Sequence, residues 1–137
     1  MKRKQEREII ILALYIMELT DVSMVEALNI LKDQLKFKEP SPYIIQSIEG
    51  VVTDLEEIDD IISRNLYHYT IDRMSFVDRQ IVRFATYEMT LRDPELVPAI
   101  IINEAIEFSK KYSDLDNGKA SAFVNSLLDN IKEDLNV

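Results

Sequence analysis

Four cations crowd the first seven residues, Lys2, Arg3, Lys4 and Arg7. A phenol follows them in register, because Lys4, Glu8, Ile11 and Tyr15 are spaced as neighbours on one helix face. Cations grouped in this way can hold phosphate oxygens, and the spacing sets the Tyr15 ring in line with the cationic end. The plain alternative is a frayed, solubilising terminus.

Little else in the 137 residues has the makings of chemistry. His68 is the sole histidine and there is no cysteine, so no thiolate, disulfide or His/Cys metal set can be assembled. Asp54, Glu56, Glu57, Asp59 and Asp60 are numerous enough for an acid/base pair, but their spacing places them on a helix surface, where a solvated face is the ordinary reading. No serine stands beside a plausible base. With only Gly50 and Gly118 there is no phosphate-cradling loop. The expectation is a protein with no catalytic residues, no metal and no cofactor. A small RNA-binding module and a protein-interaction adaptor are the classes left.

These side chains must be carried by helices. The chain is 47% apolar with two glycines and four prolines, which suits an all-α fold and starves a β-rich one of turns. Its length fits a single domain spanning 1–137. The longest apolar run, residues 9 to 17, is about half of what a membrane span needs. With charges leading into it and no cleavage site behind it, no secretory signal is expected, and the expected location is the cytoplasm.

The spacing predicts a first helix over about 3–20, buried through Ile10, Ala13, Leu14 and Met17, and a second over about 23–36, opened by the Ser23-x-x-Glu26 capping pattern. Ser41-Pro42 starts a third. Its apolar seam, Ile44, Ile48, Val51, Leu55, Ile58 and Ile62, runs unbroken to Leu66 and predicts one continuous central spine. A polar-aromatic connector over 67–74 leads to Ser75-Phe-Val-Asp78, an acidic variant of the capping box that opens a fourth helix ending near Leu91. A fifth runs from Pro98 to Tyr112, a turn occupies Ser113 to Gly118, and a last helix covers about 119–134.

The net charge of −9 is uneven. Residues 1–38 hold seven bases and six acids, whereas 39–137 hold nine bases and nineteen acids, and the stretch Glu39 to Asp60 has seven acids and no base. A body so acidic repels bulk nucleic acid and suits a basic protein partner, which confines any phosphate contact to the arm.

Three ordered motifs add a family resemblance. Asp72-Arg73, Val77-Asp78-Arg79, Val82-Arg83 and Tyr87-Glu88-Met89 form the first. Pro98 followed by Ile102-Asn103-Glu104-Ala105-Ile106-Glu107 forms the second, and Phe123-Val124-Asn125-Ser126-Leu127-Leu128-Asp129 the third. With Ala13-Leu14-Tyr15 and Gly50-Val51, the chain resembles the bacterial transcription antitermination factor NusB over nearly its full length.

The resemblance implies a NusB-like fold of two packed three-helix subdomains forming one globular domain. It implies a ribosomal small-subunit protein acting as NusE as partner, single-stranded boxA-type RNA of ribosomal transcripts as ligand, and an RNA polymerase antitermination complex as setting, with a homodimer also allowed. Carried over by position, Lys2, Arg3, Lys4 and Arg7 would hold phosphates, Tyr15 would present an exposed ring to a base, and Asp78 and Phe123 would lie at the RNA-facing surface. Arg83, Glu88, Asn103 and Glu104 read as structural, an Arg on an apolar helix requiring a buried partner among them.

Departures cluster near these positions. Gln5 and Glu6 interrupt the arm, Leu12 stands where the family often has Gln, Ala122 where it has Lys, Lys119 where it has Asp, and Ser126 where it has Gly. They sustain a second reading, a NusB-fold protein adaptor with little RNA affinity.

Overall fold

The computed structural model describes residues 1–113 and 117–137, so part of the turn expected at 113–118 lies outside the described residues. Among the described residues all regular structure is helical: α1 (Arg3–Thr20), α2 (Met24–Leu35), α3 (Pro42–Thr53), α4 (Leu55–Ser63), a 3-10 turn (Ile71–Arg73), α5 (Phe76–Thr90), α6 (Pro98–Tyr112) and α7 (Lys119–Leu135). None of these helices is long and apolar enough to cross a membrane. The chain divides into two compact units, Met1–Thr53 and Asp54–Val137.

In the first unit α1 packs on both α2 and α3. It buries Ile9, Ile10, Ile11, Ala13 and Leu14, while α2 buries Ala27, Leu28 and Leu31 and α3 buries Ile44, Ile48 and Val51. Ile11 thus belongs to the core rather than to an outer face shared with Tyr15. Local chemistry sets the boundaries. α1 ends where Asp21 turns left-handed (φ 56°) and returns its N–H to the Met17 carbonyl, and α2 begins where the Ser23 hydroxyl accepts the Glu26 N–H at 3.2 Å.

The expected spine is not continuous. Asp54 departs from helical geometry (φ −98°, ψ 17°) and caps a new helix, its carbonyl accepting the Ile58 N–H at 2.9 Å. Val51, Val52 and Thr53 are β-branched and poor helix formers, and Asp after them favours a cap over another turn, so the break falls at the weakest point of the segment.

The centre of the second unit is instead α5, which packs against α4, α6 and α7. Ten of its fifteen residues are buried, including Ile81, Val82, Phe84, Ala85 and Met89. The helix starts at Ser75, whose hydroxyl accepts the Asp78 N–H at 3.1 Å. α6 starts with Pro98 at its first position, where no N–H is needed. α7 follows Asn117 and Gly118, both at positive φ (59° and 88°), a path that glycine takes without strain. Its far end is tied down by Arg92, which donates to the Leu135 carbonyl at 2.7 Å.

Candidate nucleic-acid interface

The cations of the arm belong to an ordered helix end. Lys2 is the extended N-cap of α1, its N–H donating to Gln5 Oε1 at 3.1 Å, and Arg3, Lys4 and Arg7 lie within the first two turns. Lys2, Arg3 and Lys4 are exposed and Arg7 is half-buried. The two residues that interrupt the basic run hold it in place. Gln5 caps the helix, and Glu6, buried, accepts from the Ser41 hydroxyl and pairs with Arg3 at 3.3 Å. Ser41 also receives the Ile44 N–H at 3.3 Å, and the Arg3 guanidinium lies 3.7 Å from the centre of the Tyr43 ring, so the starts of α1 and α3 are fastened together.

Cations at a helix N-terminus oppose the macrodipole, and the only acid in this first turn is Glu6. The positive end of the helix dipole and the charges around it are complementary to an anionic group. Beside them a groove of about 520 Å³ is bordered by Met1, Gln5 and Glu8 on one side and by the 36–41 loop on the other. Lys36 and Lys38 on that loop are exposed cations that the sequence reading did not include. Their signal was local charge near a helix end, hidden by the intervening thirty or so positions. Tyr15 is half-buried on α1 where an exposed ring was expected, because the same helix that carries it is sunk into the core through Ile11 and Leu14.

In the second unit Phe123 meets a residue of the connector between α4 and α5. The Tyr69 and Phe123 rings lie 5.6 Å apart, tilted by 30°. Burial, and secondarily the charge of Asp78, push the Tyr69 phenol above its ordinary value. Phe123 is half-buried, not core, and Asp78 is half-buried in the first turn of α5, where its N–H is capped by Ser75. A cavity of about 230 Å³ opens there, lined by Tyr67, His68, Tyr69 and Phe123 and closed by Ser126 and Asn130. Lys119 and Ala122 are exposed on the same helix as Phe123. Tyr67, Tyr69 and Asn130 were missed because only the fold brings the connector onto α7.

The buried arginine of α5 finds a partner that the sequence reading assigned to solvent. Arg83 donates from Nε and Nη2 to the two carboxylate oxygens of Asp59, each at 2.8 Å, across α4 and α5. Glu88 is buried as expected, whereas Asn103 is exposed, which corrects its reading as a buried partner. Just past the end of α4, Arg64 donates at 2.7 Å and Asn65 at 2.8 Å to Asp134 on α7, and these bonds hold the Asp134 carboxyl below the usual range.

An all-helical chain with an ordered basic helix end and an aromatic cavity has the parts of a small RNA-binding module. Comparison with known proteins makes the class specific. The sequence profile of the NusB family matches residues 4–133. The chain is 36% identical over 135 residues to the transcription antitermination protein NusB of Bacillus subtilis (strain 168), covering 98% of each. Its fold is similar to that of T. maritima NusB, with a TM-score of 0.84 at 31% identity over 97% of this chain and 92% of that one. It is also similar to a chain in the crystal structure of antitermination factors NusB and NusE in complex with dsRNA, with a TM-score of 0.83 at 29% identity over 96% of both. The chain belongs to the NusB family.

Proposed function

We propose that this chain is an RNA-binding transcription antitermination factor that pairs with a ribosomal small-subunit protein in the role of NusE and binds single-stranded boxA-type RNA of ribosomal transcripts. It would act in the cytoplasm within an antitermination complex on RNA polymerase, without catalysis or cofactor. The observation that carries this reading is the near-full-length likeness to a chain solved together with NusE and dsRNA. The geometry supports it. Each unit carries its own set of candidate contacts: Lys2, Arg3, Lys4, Arg7 and Tyr15 in the first, Asp78 and Phe123 in the second. Cations supply sequence-independent phosphate contacts, a ring offers a stacking face to an unpaired base, and a carboxylate accepts from base amino groups. The excess of acids after residue 38 suits a basic ribosomal protein.

The test is fluorescence anisotropy of a labelled boxA-type RNA titrated with the protein, with and without the ribosomal partner, at several salt concentrations. Weak binding alone and tighter, salt-dependent binding with the partner are expected, and a scrambled RNA should not reproduce it. Replacing Arg3, Lys4 and Arg7 together by Ala should lower the salt slope by about 2, at roughly 0.7 per phosphate contact on single strands, and leave partner capture intact. Partner capture with no RNA binding at any salt would favour the adaptor reading instead.

A further inference from the structure

The connector between α4 and α5 has almost no regular structure of its own, only the 3-10 turn Ile71–Arg73, and Tyr67, Tyr69 and Thr70 in it are exposed. Something outside the connector has to fix its path. Arg79, one turn into α5, is 9% exposed and directs its guanidinium back at this segment. Nε donates to the Ile71 carbonyl at 3.2 Å, and Nη2 donates to the carbonyls of Asp72 at 2.9 Å and Met74 at 3.0 Å. The guanidinium carbon also lies 5.0 Å from the centre of the Phe76 ring. A planar fork with five donors can serve three carbonyls of one turn at once, which an ammonium on a flexible stem cannot do with the same geometry. Two residues upstream of the first of these carbonyls, Tyr69 meets Phe123 and walls the aromatic cavity.

We propose that Arg79 is a positioning residue for RNA recognition: by clamping the 71–74 turn it holds Tyr69 against Phe123 and so forms the wall of a cavity in which one unpaired base stacks. The inference rests on the RNA-binding reading above and deepens it. Arg79 acts through the connector and not on phosphate, because its Nε and Nη2 are turned inward to main-chain oxygens.

The experiment is a double-mutant cycle of Arg79→Lys and Tyr69→Ala, read as RNA affinity in the presence of the ribosomal partner. Loss of one stacked base lowers affinity about 10-fold. Arg79→Lys and Tyr69→Ala should each produce a loss of this order, and the double variant should bind no more weakly than Tyr69→Ala alone. The salt slope should be unchanged in Arg79→Gln, which removes the charge, whereas loss of a direct phosphate contact there would lower it by about 0.7. Nuclear Overhauser contacts between the Tyr69 and Phe123 rings, measured on the protein without RNA, should weaken in Arg79→Lys while circular dichroism and partner capture stay as in the wild type. Wild-type affinity in a folded Arg79→Lys, losses that multiply in the double variant, or an intact ring contact would each overturn the proposal. Absence of RNA binding by the wild type would instead bring down the functional reading itself, and the proposal with it.

Discussion

Removing the Asp59 carboxylate should destabilise the second unit by unpairing a buried arginine from its carboxylate partner. Asp59→Ala deletes both acceptors of a two-point, charge-assisted pair at 2.8 Å and leaves the Arg83 guanidinium, whose side chain is 9% exposed, in its buried place. Breaking a fully buried pair from one side costs about 3–5 kcal/mol. The Asp59 side chain is 25% exposed, so water and screening reduce the figure, and about 2–4 kcal/mol is expected. With a urea slope near 2 kcal/mol/M, the midpoint should fall by about 1–2 M at constant slope. Arg83→Met supplies the control, because an apolar chain of similar length removes the charge along with its need for a partner. In that background Asp59→Ala should cost little, and the difference is the coupling between the two groups. A midpoint shift below about 0.3 M, or an equal shift in both backgrounds, would show that the pair does not hold α4 to α5.

Three further outcomes follow from local geometry. Ser75→Ala removes the acceptor of the Asp78 N–H and should cost about 1 kcal/mol of stability in urea unfolding, with Ser75→Thr close to the wild type. In a spectrophotometric titration, part of the phenol absorbance should ionise above the ordinary 10.0, and Tyr69→Phe should remove some of that late component. Because the phenol is raised mainly by burial, its stabilising contribution is present below 10.0 and lost as pH rises through the folded value, and Asp78→Asn should reverse the shift only in part. Asp134, lowered first by its hydrogen bond from Arg64 and next by that from Asn65, contributes stability above 3.8 that is lost as pH falls through its lower folded value. Asp134→Asn should therefore flatten the acid limb of the stability profile below about pH 4, and an unchanged limb would remove that role.

Helix boundaries were legible wherever a cap is written in neighbouring residues. Ser23, Ser75 and Pro98 announce α2, α5 and α6, and the observed starts fall beside them. The break at Asp54 was not legible, since the apolar seam of α3 resumes in phase through Ile58 and Ile62, and periodicity cannot register a single departure in ψ. Contacts distant in sequence were invisible for a different reason. Nothing within reach of Asp59 points to Arg83, 24 residues on, and nothing near Tyr69 points to Phe123. The candidate site was read through motif positions, which name Phe123 and Asp78 but not Tyr69, whose meeting with Phe123 required the fold. Gln5 and Glu6 were read as gaps in a basic run because the sequence does not show that one caps the helix and the other is bound by Ser41.

That fastening of the arm changes what kind of ligand capture it supports. A loose basic tail gives up its conformational freedom only on meeting its target, at about 1–2 kcal/mol for each backbone residue ordered. Here Arg3, Lys4 and Arg7 are already helical, and Glu6, Ser41 and Tyr43 keep them so, which moves the ordering cost from the binding equilibrium into folding. An anion reaching this helix end meets charges whose backbone is fixed in advance, and only side-chain rotamers remain to be settled. Ser41 and Tyr43, neither of them a cation, thereby acquire leverage over how tightly the arm can hold it.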